Sequence, residues 1–482
     1  MRAHRKTGFA GLAAALLLAG CAVGPDYTRP AIDLPPAFPD ASLNADALSG
    51  AAAAPLRAEW WTLYGDPKLN ELVASALERN ADVRLAIARI EEADANLREA
   101  NAAFLPEIDF STAGTSRSRI SQITATPLPP GIPPVRNNVR LSLTTAFEID
   151  FWGKLRRGIE SVRAQSLGTR YAKDVVNLSL AGLTSQAYFS LLSLDAQIAV
   201  TRESLASREE TLRMVRARAQ GGVASDLEVN QAVLARADAS VQLRELQRQR
   251  ALAEHQLATL AGRLDLTLPS GDLRTMPIPP VPPAGLPSTL LERRPDVRQA
   301  EQDLIANNAR IGIAKAAMLP TISLTGSLGG ESTSLAAVLN NDAGRIWSLG
   351  FGLLQPIFDA GRLSARTEQA EARQRQSLAS YQKAIEAAFR EVADALTNLR
   401  EYAALESQQK ERVDAARNSL RLARLRYEAG YSAFLEVLDA QRSANDAEQA
   451  FLRNRQAYLS ATVDFMRALG GGWSPEGATA AR

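Results

Sequence analysis

Along most of the chain, apolar positions recur with the period of a helix; in four short stretches they recur with a period of two. From Arg362 to Ala429, alanine and charged residues are threaded by spaced Leu, Val and Ile, and no proline occurs between Ile357 and Ser474. Proline breaks helix interiors and central strands alike, so this pattern predicts one very long helix, about 100 Å at 1.5 Å per residue. Gly430-Tyr431-Ser432 predicts a turn, and Ala433 to Leu469 a second helix returning antiparallel. An earlier proline-free stretch, Val135 to Leu268, repeats the arrangement with its turn at Gly221-Gly222-Val223. Each pair reads as a long helical hairpin whose small residues permit close, coiled-coil-like packing.

The period-two stretches read as strands. Val139, Leu141, Leu143, Thr145 and Phe147 interleave with Arg140, Ser142, Thr144 and Ala146, and Ile108 and Phe110 alternate with Asp109 and Ser111. Later, Ile322, Leu324 and Leu328 alternate with Ser323, Thr325 and Ser327, and Trp347, Leu349, Phe351 and Leu353 with Ser348, Gly350 and Gly352. Apolar groups thus gather on one face of two hairpins. Strands of about ten residues suit a tilted crossing of a bilayer. The chain after its first twenty residues shows no apolar run long enough for a membrane helix, which leaves a barrel as its way to span. Four strands do not close a barrel; three chains of four would give twelve.

The chain also repeats itself. Leu77-Glu78-Arg79-Asn80-Ala81-Asp82-Val83-Arg84 matches Leu291-Glu292-Arg293-Arg294-Pro295-Asp296-Val297-Arg298, displaced by 214 residues, and the same displacement carries Phe104-Leu105-Pro106 onto Met318-Leu319-Pro320. Gly153-Lys154-Leu155 matches Gly361-Arg362-Leu363, and Leu227-Glu228-Val229 matches Leu435-Glu436-Val437, displaced by 208. A duplication follows. The expected organisation is a first copy at 59–268, with a β-hairpin at about 107–147 and a helical hairpin at about 155–262. A proline-rich linker at 269–287 leads to a second copy at 288–470, with hairpins at about 321–355 and 361–470, and a tail at 471–482. The fold class predicted is an α+β membrane protein: long antiparallel helical hairpins plus four strands per chain. Thr124 to Pro134, rich in proline, reads as an exposed loop.

Composition narrows the chemistry. The 482 residues are 46% hydrophobic, enough for a sizeable core, and the net charge is only +2 without a long single-sign block, which points away from nucleic acid as a partner. The histidines are His4 and His255 and the one cysteine is Cys21, too few for a zinc site or a disulfide framework. Neither a cofactor nor an enzyme motif of the G-x-S-x-G, P-loop or H-E-x-x-H kind is apparent.

The single cysteine has a clear setting. Arg2, His4, Arg5 and Lys6 precede an apolar stretch, Gly8 to Gly20, that is too short for a finished membrane helix and reads as a secretory signal over 1–20. It ends in Leu18-Ala19-Gly20-Cys21, which resembles the bacterial lipobox. That resemblance implies cleavage before Cys21, acylation of its thiol, outer-membrane sorting with Ala22 next in line, and a lipidated tether at 21–58.

Several further segments carry a family resemblance over nearly all of the mature chain. They are Trp60-Trp61 with Gly65-Asp66-Pro67; Phe104-Leu105-Pro106; Glu148-Ile149-Asp150-Phe151-Trp152-Gly153-Lys154-Leu155-Arg156-Arg157; Gly285-Leu286-Pro287-Ser288 with Leu291 to Asp296; Leu438-Asp439-Ala440-Gln441-Arg442; and Ala468-Leu469-Gly470-Gly471-Gly472-Trp473. Together they resemble the outer-membrane efflux proteins, or TolC-like channels, and within them the lipoprotein branch serving resistance-nodulation-division pumps. The resemblance implies a homotrimer with one twelve-stranded barrel in the outer membrane and a helical tunnel across the periplasm. It further implies a gate opened by a periplasmic adaptor and an inner-membrane pump, and passive exit of small molecules without catalysis. Two other readings stand beside it: the exit duct of a type I protein-secretion system, and a non-conducting envelope scaffold.

By the same resemblance, Tyr427 matches a gate tyrosine, and Glu436 and Asp439 fall where an acidic pair rings the constriction. An arginine that some relatives carry after the turn glycine is Ser432 here, so the latch differs. The turns, with Gly221, Gly222, Gly430, Tyr431 and Ser432, are the expected adaptor contacts, since glycine turns let a partner helix approach closely. A packing role for Tyr427, a solvated face for the two acids and a purely turn-forming role for the glycines are the alternatives. Trp152 and Trp347 are expected at the membrane interface beside lipid.

Overall fold

The structure is a computed structural model that describes residues 22–38, 58–119, 135–280, 290–340 and 344–473. The signal segment, Cys21, the Thr124 to Pro134 loop, residues 281–287 of the linker and the tail from residue 474 lie outside the described residues. The elements are α1 (Pro67–Arg79), α2 (Ala81–Ala102), β1 (Glu107–Arg119), β2 (Val135–Ile149), α3 (Lys154–Gln220) and α4 (Asp226–Leu260). The second copy supplies α5 (Leu290–Arg293), α6 (Pro295–Ala316), β3 (Thr321–Ser332), α7 (Leu335–Asn340), β4 (Arg345–Leu354), α8 (Arg362–Glu428) and α9 (Phe434–Ala468). Apart from the short α7, the order of elements repeats, as the duplicated sequence requires.

The chain divides into two compact units. One comprises Met1–Pro30, Ile90–Gly168 and Ala300–Ser380 and contains a four-stranded antiparallel sheet in the order β1-β2-β3-β4. The sheet is open, with β1 and β4 at its edges. Its register lines up Phe110, Leu143, Leu328 and Trp347 across all four strands. Side chains alternate along each strand, so Ser111, Ser142, Ser327 and Ser348 point to the opposite face. There Ser111 pairs with Ser142 at 3.0 Å and Ser327 with Ser348 at 2.8 Å.

The other unit comprises Ala31–Arg89, Thr169–Gln299 and Tyr381–Arg482. Its core gathers Trp60, Tyr64, Leu69, Leu72, Phe189, Leu257, Leu459 and Val463. Asp66-Pro67 opens α1 because the Asp66 carboxylate accepts from the Lys68 amide at 2.7 Å and proline costs nothing at the first helical position. Buried Tyr64 shares a 2.6 Å hydrogen bond with Thr462, which satisfies its hydroxyl.

The duplication is legible down to single bonds. Asn80, between α1 and α2, donates from Nδ2 to the Leu260 carbonyl at the end of α4. Its counterpart Arg294, between α5 and α6, donates from Nη1 to the Ala468 carbonyl at the end of α9. Both bonds satisfy a carbonyl in a last helical turn, which has no partner within its own helix. Next in line, Gly262 and Gly470 have φ of 66° and 90°; a Cβ on Gly470 would fall 2.1 Å from the Arg293 carbonyl oxygen, and one on Gly262 2.8 Å from Arg79. Glycine is needed at both places by conformation and by space.

One correction concerns the membrane-helix expectation. α3 does contain an 18-residue window apolar enough, by length and composition, to cross a bilayer; 56% of that window is buried within the chain. Thr184, Ser185 and Ser193 are also buried along α3. These marks are those of a packed core helix.

Candidate functional site

Two places in the fold carry candidate function: the exposed apolar face of the sheet and the paired turns of the helical hairpins. On the sheet, Ile108, Phe110, Leu143, Leu324, Leu328, Trp347, Leu349, Phe351 and Leu353 are all exposed within the chain. The register places them on one face. An apolar face of this extent, left exposed among the described residues, marks a surface that meets either a partner or lipid. On the opposite face Arg140 pairs with Glu331 at 3.5 Å, and Asn138 donates to Glu331 at 2.9 Å.

Trp152 follows β2 in a bend, and its indole donates to the Pro320 carbonyl at 2.8 Å, tying the end of β2 to the start of β3. Trp347 lies on β4, six residues along the strand from Leu353, which shares a row with Ile149 and Ile322. Trp152 bonds at the level of Pro320, about eight residues along β3 from Leu328, the partner of Trp347, so at about 3.4 Å per residue the two tryptophan levels are separated by roughly 27 Å. The basic residues after Trp152 are occupied within the chain. Lys154 reaches Glu148 at 3.0 Å, Arg156 reaches Asp150 at 3.1 Å, and buried Arg157 reaches Asp26 at 2.5 Å and Glu160 at 2.7 Å.

Those contacts show how the chain after Cys21 is held. The Val23 amide donates to the Trp152 carbonyl at 3.0 Å, and Gly24 packs on Gly312 so tightly that a Cβ would fall 2.5 Å from its Cα. Asn308 donates to the Pro25 carbonyl at 2.9 Å. Glu301, only 3% exposed, accepts from Tyr27 at 3.1 Å and from Arg29 through a fork of 2.6 and 3.0 Å. A buried carboxylate is tolerated where such charge-assisted bonds replace its water. Residues 22–30 are therefore pinned to α3 and α6. No motif in the sequence advertised this segment.

At the hairpin turns the two copies again use one design. The Val223 amide bonds back to the Arg218 carbonyl and the Tyr431 amide to that of Arg426, both at 2.8 Å, around Gly222 and Gly430 with φ of 75° and 81°. These are glycine-terminated helix ends. Their other caps differ: Ser225 and Glu228 form a capping box at the start of α4, whereas Ala433 at the start of α9 makes no side-chain cap. Gly221, Gly222, Gly430 and Tyr431 are exposed, and Ser432 is half-buried with its hydroxyl unpartnered among the described residues.

Tyr427 is buried beneath these turns. Its ring lies 5.3 Å from that of Phe434, and the Arg218 guanidinium carbon lies 4.7 Å above its centroid. Burial raises its phenol pKa, nearby Glu228 adds to the rise, and Arg218 opposes both. Leu212, Val215, Ala232 and Val437 complete the cluster. Tyr427 thus meets an arginine from α3, one that the sequence reading did not single out. The signal was there: Arg218 sits in the last turn of the matching helix, at the same distance before its turn glycines as Arg426. Glu436 and Asp439 are exposed on the first turns of α9, and Asp439 accepts from Arg442 at 2.7 Å.

Comparison with known proteins gives concordant results. A family model described as "Outer membrane efflux protein" matches residues 72–263 and 286–471, one match to each copy. The chain is 35% identical over 465 residues to SrpC, a solvent efflux pump outer membrane protein of Pseudomonas putida, covering 96% of this chain and 97% of that protein. Among solved structures, the CmeC outer membrane channel of Campylobacter jejuni superposes with a TM-score of 0.86 at 25% identity, covering 94% and 96% of the two chains. The open state of the Neisseria gonorrhoeae MtrE outer membrane channel gives 0.82 at 29% identity, covering 94% and 98%.

Proposed function

The chain belongs to the outer membrane efflux protein family, and we propose that it is the exit duct of a tripartite pump that expels small molecules from the cell. It is an efflux channel component of the outer membrane. In the finer reading, three copies close one twelve-stranded barrel, and their helical hairpins line a periplasmic tunnel. Cys21 is acylated and holds each chain to lipid. An adaptor protein engages the turns at Gly221, Gly222, Gly430, Tyr431 and Ser432. An inner-membrane pump of the resistance-nodulation-division class supplies the substrate, and passage through the duct involves no catalysis.

The observation that carries this reading is the row Phe110–Leu143–Leu328–Trp347 across an open sheet. A sheet facing lipid must be closed, because an unpaired edge has no water to bond with in the bilayer core. Four strands per chain meet that demand by joining those of other copies. Apolar residues facing lipid and serines facing a lumen are the alternation of a barrel wall. The tryptophan levels, roughly 27 Å apart along the strands, suit the two rims of an apolar band about 25 Å tall.

At the other candidate site, Tyr427 and Arg218 tie the two hairpin turns in the resting state, while three copies of Glu436 and Asp439 around a narrow axis form an acidic collar favouring cations. The test is accumulation of a fluorescent efflux dye in cells with and without this protein, its pump being present in both. Deletion should raise retained dye several-fold. Unchanged dye together with loss of a secreted protein from the medium would replace this reading with polypeptide export.

A further inference from the structure

α7 interrupts the repeated order of elements, and its six residues are too few to hold a helix in water unaided. The sheet holds it. α7 lies against β2 and β3, and Val338 meets Gly330 so closely that a Cβ at 330 would fall 2.8 Å from the valine methyl. The Ser334 hydroxyl accepts from the Ala337 amide at 3.3 Å and caps the helix. Gly330 lies two residues from Leu328 on an unbroken register, so α7 is seated on the apolar face of the sheet and not on the serine face.

With Val338 turned to the sheet, α7 turns two leucines outward. Leu335 and Leu339 stand one helical turn apart and are 51% and 70% exposed. Their place along the strands gives the exposure a meaning. Gly330 shares its row with Leu141 and Arg345, and Leu328 shares the next apolar row with Leu143 and Trp347. Two residues of strand put α7 and Arg345 about 7 Å beyond Trp347, on the side away from Trp152. Arg345 is exposed and, by alternation, lies on the same face as Trp347.

From the apolar band outward, that face therefore carries aliphatic side chains, then an indole, then two leucines beside a guanidinium. The order matches a lipid from acyl chain to headgroup. Arginine keeps its stem along apolar surface while its charged fork reaches water or phosphate, which it binds through paired hydrogen bonds. A second copy of the chain does not compete for this place, because α7 covers the two middle strands whereas copies join at the edges, β1 and β4. The rim is also the one remote from the strand ends that lead to α2, α3, α6 and α8. With those helices in the periplasm, it faces the outer leaflet.

We propose that α7 and Arg345 form a binding site for an anionic phosphorylated lipid of the outer leaflet, with Leu335 and Leu339 along its acyl chains and Arg345 at its phosphate. Each chain carries one such site. The inference rests on the channel reading above, in which the apolar face of the sheet meets lipid.

The test places the full acylated chain in phosphatidylcholine vesicles with diphosphorylated lipid A as the probe, and counts by native mass spectrometry the lipid A that each chain retains after extraction in detergent. Retention should fall about tenfold in Arg345→Gln and in the double variant Leu335→Asn with Leu339→Asn. Lipid A stripped of its phosphates should be held no better by the wild type than by Arg345→Gln. Equal retention of the intact probe by all three proteins, with conductance unchanged, would overturn the site and leave the channel reading intact. A chain that never enters the vesicles would defeat the channel reading and the site with it. A second measurement does not depend on affinity: a nitroxide attached through Leu339→Cys should relax more with oxygen than with a water-soluble nickel chelate. The opposite order would put α7 in water and overturn the proposal.

Discussion

Arg218 lies over the ring of Tyr427, its guanidinium carbon 4.7 Å from the centroid, so that the last turn of α3 is bound to the last turn of α8. The two residues come from different sequence copies, and their contact joins the hairpins where they turn. A partly desolvated contact of this kind contributes about 1 kcal/mol. Arg218→Ala should therefore shift a resting gate towards opening by about fivefold, read as open probability in planar bilayers, with Arg218→Lys intermediate. Tyr427→Phe should change it little, because the hydroxyl has no partner among the described residues while the ring keeps both of its contacts. Equal opening in Arg218→Ala and wild type would remove this pair from the gate.

Asp439 is exposed and paired with Arg442, and Glu436 is exposed one turn earlier. If three copies ring an axis, replacing both acids with alanine should lower cation preference, measured as a shift of reversal potential under a salt gradient. Such a shift weakens as salt is raised, because exposed charges are screened. An unchanged reversal potential would assign both groups to a solvated outer face.

Arg294 is buried, donates to the Ala468 carbonyl and pairs with Asp296 at 2.6 Å and Glu391 at 2.8 Å. Asp296 and Glu391 are each more than a third exposed, so loss of the guanidinium leaves both to water, and the cost, chiefly the Ala468 carbonyl left unpaired, is about 2 kcal/mol. Arg294→Ala should lower the melting temperature by several degrees, and Arg294→Lys should recover little, since an ammonium lacks the fork that reaches three acceptors. Asn80→Ala loses two uncharged bonds, the one to the Leu260 carbonyl and the one its side-chain oxygen accepts from the Asp82 amide, and should cost about 2 kcal/mol.

The segment after Cys21 is held by Glu301. The double change Tyr27→Phe with Arg29→Ala removes three charge-assisted hydrogen bonds to that buried carboxylate, two of them from a guanidinium. Limited proteolysis followed by mass spectrometry should then show cleavage within residues 22–38 at least tenfold faster than in wild type. Resistance equal to wild type would mean that Gly24 and Arg157 suffice to pin the segment.

Asp174 gives a pH dependence. Burial raises its pKa above the ordinary 3.8, opposed by the Trp473 indole, which donates to it at 3.0 Å, and by Lys173. A raised carboxyl pKa means that the folded state holds its proton more tightly than the unfolded state. Stability from this group is thus full below 3.8 and falls as pH rises through the folded value. Asp174→Asn keeps an acceptor for Trp473 and should raise the melting temperature at neutral pH, the gain vanishing in acid.

Much of this was legible in the sequence because it rests on local rules. Proline-free runs with a helical period marked the long helices, since the strongest helix breaker is absent from them. Alternation placed Phe110, Leu143, Leu328 and Trp347 on apolar faces, because strand side chains alternate whatever the strand pairs with. The duplication fixed the order of elements, and paired glycines marked both turns. Register and long-range partners required the tertiary structure. No period in the chain says that Phe110 lies opposite Leu143, that Arg218 rather than a residue after the turn covers Tyr427, or that Glu301 awaits Arg29 272 residues away. Those facts depend on which surfaces meet, and a single chain's pattern specifies the faces of its elements without naming what each face will touch.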